Sequence, residues 1–218
     1  MRTLSNDQYD ALLMQSGIIE KDRHGIKVVR LSDGSFLKTF WYRHRISSRR
    51  IYPEWLRFVL HAGALKRRGI PTVTVLKAVR IPHLQRTGVI YQPLPGRTLR
   101  QVAADGEFDA ALAGRLGRFV ARLHRKGVHF HSLHLGNVLL CSDGTFGLID
   151  ISSMKIFPWP LWANTRMRNF VHLFRYSDDL SILTEAGIHS FMNGYLEGQT
   201  SRRINGGLQR ISNQWISK

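Results

Sequence analysis

The dominant repeat of apolar residues along this chain turns helical beyond Pro93-Leu-Pro-Gly96. Before it, most apolar residues come in short alternating runs, the two-residue repeat of strands. After it they recur every three or four residues, the repeat of helices. A chain ordered this way folds as α+β rather than as alternating strand–helix–strand units. Ile18–Asp22, Ile26–Leu31 and Ser35–Trp41 read as strands, joined around His24-Gly25 and Ser32-Asp33-Gly34. Asp-Gly between apolar runs is a hairpin signal. Pro53 suits a first helical turn, so Glu54–Arg68 reads as a helix closed by Gly69. Thr72–Ile81 and Thr87–Gln92 are two further strands, and Ser5–Gln15 carries a short helix.

Residues 1–94 are therefore expected to form a five-stranded antiparallel lobe with one inserted helix. Residues 95–218 form a mainly helical lobe. Its clearest helix is Phe108–Lys126, with Leu112, Leu116, Phe119, Val120 and Leu123 on one stripe and Gly127 as its stop. Val138–Cys141 and Phe146–Ile149 make a small hairpin around Ser142-Asp143-Gly144, and the chain from Trp159 onward reads as helical and basic. A two-lobed α+β chain is expected to keep its small-molecule site in a cleft.

Composition matters most through charge. Lys and Arg number 32 against 15 Asp and Glu, a formal +17, which predicts contact with an anionic partner. A single cysteine, Cys141, excludes a disulfide framework and a multi-cysteine zinc site. The N-terminus lacks the apolar core of a signal peptide, and no run of apolar residues is long enough to span a bilayer. The expected location is the cytoplasm, with attachment to a membrane surface left open.

The few acids are placed informatively. Glu54 is the only one between Gly34 and Ala104, none lies between Ala110 and Ser142, and Asp150 is the only one between Gly144 and Ser177. An isolated carboxylate in apolar surroundings needs a cation or a metal. Asp150 ends the strand Phe146-Gly-Leu-Ile-Asp150, and Asn137 begins the partner strand. An amide oxygen beside a carboxylate suits Mg²⁺ when phosphates complete its shell. The alternative is that both residues merely cap turns. Lys38 lies mid-strand among bulky apolar residues, either snorkelling from an edge strand or pairing with Glu54 to reach a phosphate.

The order of these residues brings out a resemblance. Phe130-His-Ser-Leu-His-Leu-Gly-Asn137-Val-Leu-Leu is similar to the loop His-Gly-Asp-Leu-His-Pro-Gly-Asn-Ile-Leu of the protein-kinase-like phosphotransferases, the aminoglycoside-kinase branch especially. Gly147-Leu-Ile-Asp150 resembles their metal-binding strand end. From about Ile18 to Tyr176 the chain resembles the lipopolysaccharide core kinases, the Kdo/heptose kinase group, and within it the short toluene tolerance proteins. The resemblance implies a two-lobed protein-kinase-like fold with a reduced second lobe, using ATP and Mg²⁺. Lys38 would hold phosphates, oriented by Glu54, and Asn137 and Asp150 would hold Mg²⁺. Tyr91, Gln92 and Leu94 would line the adenine pocket, the turn at Gly25 would cover the phosphates, and His134 would contact phosphate or support the loop.

The departure is Ser132, which stands where the family carries its catalytic Asp. A serine is no general base at neutral pH, and His131 is the candidate substitute. Ile151-Ser152 also replaces the Phe-Gly that often follows the metal Asp. The implied activity is phosphorylation of a sugar hydroxyl of the lipopolysaccharide core or its precursor at the inner membrane. A nucleotide-binding pseudokinase or scaffold is the alternative.

Two basic segments bear on partners. Tyr42-Arg-His-Arg-Ile-Ser-Ser-Arg-Arg50 suits an anionic membrane face or an acidic glycolipid. Arg166–Arg175 reads instead as a helix packing Phe170, Leu173 and Phe174 inward with Arg168 and Arg175 outside. Basic segments near aromatics also suit nucleic acid, but no helix-turn-helix, zinc-knuckle or RNA-recognition signature accompanies them.

Overall fold

The computed structural model describes residues 1–14, 16–22, 25–41, 52–197 and 206–207. His24, the basic stretch Tyr42–Arg50 and most of the basic tail lie outside the described residues. The chain divides into two compact units, Met1–Leu94 and Pro95–Lys218.

The first unit contains β1 (Arg2–Thr3), α1 (Asn6–Met14), β2 (Gly17–Asp22), β3 (Gly25–Arg30), β4 (Phe36–Trp41), α2 (Glu54–Arg67), β5 (Thr74–Ile81) and β6 (Arg86–Gln92). Its sheet has the order β1-β5-β6-β4-β3-β2. The five expected strands are antiparallel to their neighbours, with α2 inserted between the third and fourth. The two-residue β1 adds a parallel edge on β5, so the sheet is mixed. A strand of two residues carries no periodicity from which to read it.

Alternation along β4 gives the sheet two different faces. Leu37 joins Leu4, Tyr9, Val29, Val79, Ile81 and Ile90 in a core that Leu12 and Leu13 of α1 cover. On the opposite face Phe40 meets Phe58 of α2 at 5.9 Å between ring centres. Ser32-Asp33-Gly34 turns β3 into β4: Asp33 Oδ1 accepts from the Ser35 amide at 2.9 Å and its hydroxyl at 2.6 Å. Asp143 does the same for Thr145 at 2.9 and 2.7 Å.

The second unit begins with β7 (Arg97–Thr98), α3 (Leu99–Ala104), α4 (Ala110–Arg125) and β8 (Val128–Phe130). It continues through β9 (Val138–Leu140), β10 (Phe146–Leu148) and β11 (Met154–Ile156), and ends in α5 (Ala163–Leu173), α6 (Ser177–Leu183) and α7 (Glu185–Leu196). Here β9 pairs with β10 and β7, and β8 with β11. The predicted stripe of α4 is buried, and Asp109 Oδ1 caps the helix by accepting from the Leu112 amide at 2.7 Å. Gly117 lets α7 approach the α4 backbone directly, since a Cβ there would lie 2.0 Å from the Phe191 carbonyl oxygen. Phe170, Leu173 and Phe174 are buried while Arg168 and Arg175 are exposed, so α5 takes the core-packing role. The fold is α+β, with the order of elements expected from sequence. Among the described residues no helix is long and apolar enough to cross a membrane.

Candidate active site

In the second unit the loop after β8 is anchored at both ends. The β8–β11 ladder sets Phe130 opposite Met154, and the His131 amide donates to the Ser153 carbonyl at 3.0 Å. Leu133 and Leu135 are fully buried. The polar residues that alternate with them, Ser132 and His134, are only half-buried. The Leu135 amide donates to Asp179 Oδ2 of α6 at 3.0 Å, and Arg100 Nε donates to Asp179 Oδ1 at 2.6 Å. Asp179 is itself wholly buried, so its charge is matched where water cannot reach it.

Asn137 closes this loop. Its Nδ2 donates to the Ser132 carbonyl at 2.9 Å and lies 3.0 Å from His134 Nε2. The bond to the Ser132 carbonyl commits one amide hydrogen of Asn137. The Ile149 amide donates to the Asn137 carbonyl at 3.1 Å, extending the β9–β10 ladder to the residue before Asp150. Asp150 has φ of +51°, a conformation that non-glycine residues rarely adopt. Such strain concentrates at functional positions. Asp150 lies two residues past the end of β10, and its carboxylate acts on the charge of His134. The structure thus brings together Ser132, His134, Asn137 and Asp150. The oxygens of Asn137 and Asp150 fit a hard cation that takes its remaining ligands from phosphates and water. Burial, followed by Arg100, lowers the affinity of His134 for a proton, against the opposing pull of Asp179 and Asp150.

A second layer fixes where the loop begins. Tyr195 donates its hydroxyl to His124 Nδ1 at 2.8 Å, and His124 Nε2 donates to Asn169 Oδ1 at 3.1 Å. Asn169 Nδ2 in turn donates to the Phe130 carbonyl at 2.5 Å. Desolvation pushes Tyr195 up to about 12 and His124 down to about 3. The unfolded chain protonates His124 near the ordinary value of about 6.5, whereas the folded chain resists until far lower pH. Acid therefore favours unfolding. Stability is full above that ordinary value and falls below it, by about 1.4 kcal/mol per pH unit for this histidine. Urea unfolding midpoints should drop between roughly pH 7 and pH 5 in wild type and fall less steeply in His124→Gln. Equal slopes in the two proteins would count against this account.

In the first unit Lys38 is buried in β4, an interior strand between β3 and β6, so it does not snorkel from a sheet edge. Its Nζ lies 5.9 Å from the ring centre of Phe40 and 5.6 Å from that of Phe58. Phe58 stands one turn along α2 from Glu54, which is exposed in the first turn. Tyr91 packs on Phe58 at 5.3 Å and on Phe36 at 5.8 Å. Gln92 is the last paired residue of β6, and Leu94 lies past it at the unit boundary. Gly25 opens β3 with φ of +111°, which a side chain would strain.

His131 packs against two other histidines. Its ring lies 4.4 Å from that of His129 and 5.9 Å from that of His172, and burial with His172 and Lys155 lowers its basicity. Sequence reasoning passed over Asp179, Asn169 and His124. Asp179 was hidden because its loop contact spans 44 residues.

No protein-family model matches this chain. No curated protein matches it. Solved structures with distant likeness include WbdD, described as a bifunctional kinase-methyltransferase, at 19% identity and a TM-score of 0.47, over 89% of this chain and 46% of WbdD. A WbdD complex with a kinase inhibitor gives 18% and 0.46, over 90% of this chain and 44% of that one. A divergent kinase lacking the glycine-rich loop, described as regulating membrane ultrastructure of the Toxoplasma parasitophorous vacuole, gives 14% and 0.44, over 99% and 69%. The chain spans less than half the length of the WbdD structures.

Proposed function

We propose that this protein is an ATP- and Mg²⁺-dependent phosphotransferase that phosphorylates a sugar hydroxyl of the lipopolysaccharide core or its precursor. The observation that supports this reading is the strained Asp150, which follows a backbone hydrogen bond from Ile149 to Asn137, whose side-chain nitrogen donates to Ser132. That is a pair of oxygen donors on a loop with the sequence pattern of a phosphotransferase. Lys38 would hold nucleotide phosphates with Glu54 as its orienting partner, and Tyr91, Gln92 and Leu94 would border the base. Magnesium, when bound, neutralises the charge of the transferring phosphoryl group. Asn137 and Asp150 would hold it, and Ser132 would face the acceptor hydroxyl.

The acceptor would be an acidic glycolipid at the cytoplasmic face of the inner membrane. Trp159 and Trp162, exposed in the segment leading into α5, support peripheral contact with an interface. A nucleotide-binding pseudokinase is a second reading, favoured by one observation: Ser132 offers no carboxylate.

The test is thermal melting with Mg·ATP. At roughly 100 times its dissociation constant the nucleotide should add about 2.7 kcal/mol. The shift should vanish in Asp150→Ala and Lys38→Ala. Absence of any shift in wild type would rule out both readings.

A further inference from the structure

Beside the β8–β11 ladder lies a cavity of about 360 Å³ whose walls include His129, His131, Lys155, Thr165, Arg168 and His172. No carboxylate is among its lining residues. None of the nine Asp and Glu of this unit lines it, and four of them pair elsewhere: Asp105 and Glu107 with Arg97, Asp179 with Arg100, and Glu197 with Arg118. Residues 198–205 and 208–218 contain no Asp or Glu at all. No acid of this unit outside the description is therefore left to neutralise the cavity. Lys155 and Arg168 are exposed and form no ion pair among the described residues. His129 is 7% exposed, and its Nε2 has no hydrogen-bond partner among the described residues. A buried, unpartnered ring nitrogen between two unmatched cations is costly unless a ligand completes it.

We propose that this cavity binds a phosphate monoester dianion, carried by a small molecule or by a lipid headgroup, at a site separate from the nucleotide phosphates. The chemistry selects among ligands. A divalent metal is repelled by Lys155 and Arg168, and the described residues hold no group of three or more His, Cys, Asp or Glu side chains suited to one. An ammonium, a guanidinium fork, a hydroxyl and imidazole N–H groups offer more donors than a two-oxygen carboxylate can use. A phosphate's three terminal oxygens can use them. Burial first, then neighbouring cationic and imidazole groups, hold His129, His131 and His172 below the ordinary histidine value. An anion would relieve that repulsion. His131 directly precedes Ser132, so the cavity is where an acidic group of the acceptor docks; this last clause alone rests on the proposed function.

Binding is to be measured calorimetrically without nucleotide, using inorganic phosphate, a hexose phosphate and vesicles containing phosphatidate. Saturable binding of at least one is expected, weakened about tenfold or more in Lys155→Gln and in Arg168→Gln. Both side chains are exposed, so the variants should fold, and unchanged melting temperatures check this. Tighter binding of the hexose phosphate assigns a soluble ligand, and preference for the vesicles assigns a headgroup. Lys38→Ala and Asp150→Ala should bind as wild type does, which separates this site from the nucleotide reading. No binding of any probe, equal binding by the Lys155 and Arg168 variants, or loss in Lys38→Ala would overturn the proposal.

Discussion

Ser132→Asp is expected to raise the rate of phosphate transfer by about 10²- to 10⁴-fold, the usual contribution of a positioned general base. The main chain at this position is already held, because the Ser132 carbonyl accepts from Asn137 Nδ2 at 2.9 Å. Ser132 itself is half-buried between the fully buried Phe130 and Leu133. A carboxylate added there gains a proton-accepting group without any rearrangement of the loop. Charge neutralisation and positioning carry most of phosphoryl transfer, so the wild-type protein is expected to turn over slowly rather than not at all. The measurement is transfer from Mg·ATP to purified core oligosaccharide by wild type and variant. Acceleration establishes a kinase limited by its missing base. If both proteins show the nucleotide melting shift but no transfer, the scaffold reading replaces the enzymatic one.

Asp179→Ala is expected to cost about 3 kcal/mol, the low end for breaking a buried ion pair. The value is at the low end because the Arg100 side chain is 39% exposed, so water covers it once its partner is gone. The Leu135 amide has no such recourse, since Leu135 is fully buried and its partner Oδ2 is removed. For a chain of this size the loss corresponds to a fall of about 6–12 °C in melting temperature. Asp179→Asn, which keeps an acceptor for one of the two donors, should fall by less. A melting temperature within error of wild type in Asp179→Ala would show that the loop is held by other contacts. Transfer should also slow in Asp179→Ala, because the loop carrying Ser132 and Asn137 loses the contact that joins it to α6.

Much of the candidate site was legible because its residues are close along the chain. Asn137 and Asp150 are joined by a short hairpin, and the Ser142-Asp143-Gly144 turn sets its register. Local chemistry of this kind is written directly in residue order. The capping box Thr98-x-x-Gln101 that opens α3 was equally local, with the Gln101 amide donating to Thr98 Oγ1 at 3.2 Å, but six helical residues were too few for an apolar repeat. The β8–β11 pair shows the opposite case. Three-residue strands separated by the whole loop and hairpin carry no periodic signal, so sequence reasoning read neither as a strand. That pair is also what gathers His129, His131 and Lys155.

By itself the sequence determined where strands yield to helices, which residues form the Asn137–Asp150 hairpin, and that cations greatly outnumber acids. Each of these follows from neighbours within one or two turns of chain, where backbone geometry leaves few choices. Tertiary structure alone decided that Lys38 lies in an interior strand, that Asp179 and Asn169 brace the loop, and that His131 packs against other histidines. It also decided where the excess charge is left unmatched. Four acids of the second unit go to Arg97, Arg100 and Arg118, while Lys155 and Arg168 border a cavity with none. The reason is physical: a count of charges is a property of composition, but their pairing depends on which distant segments the buried apolar faces bring together.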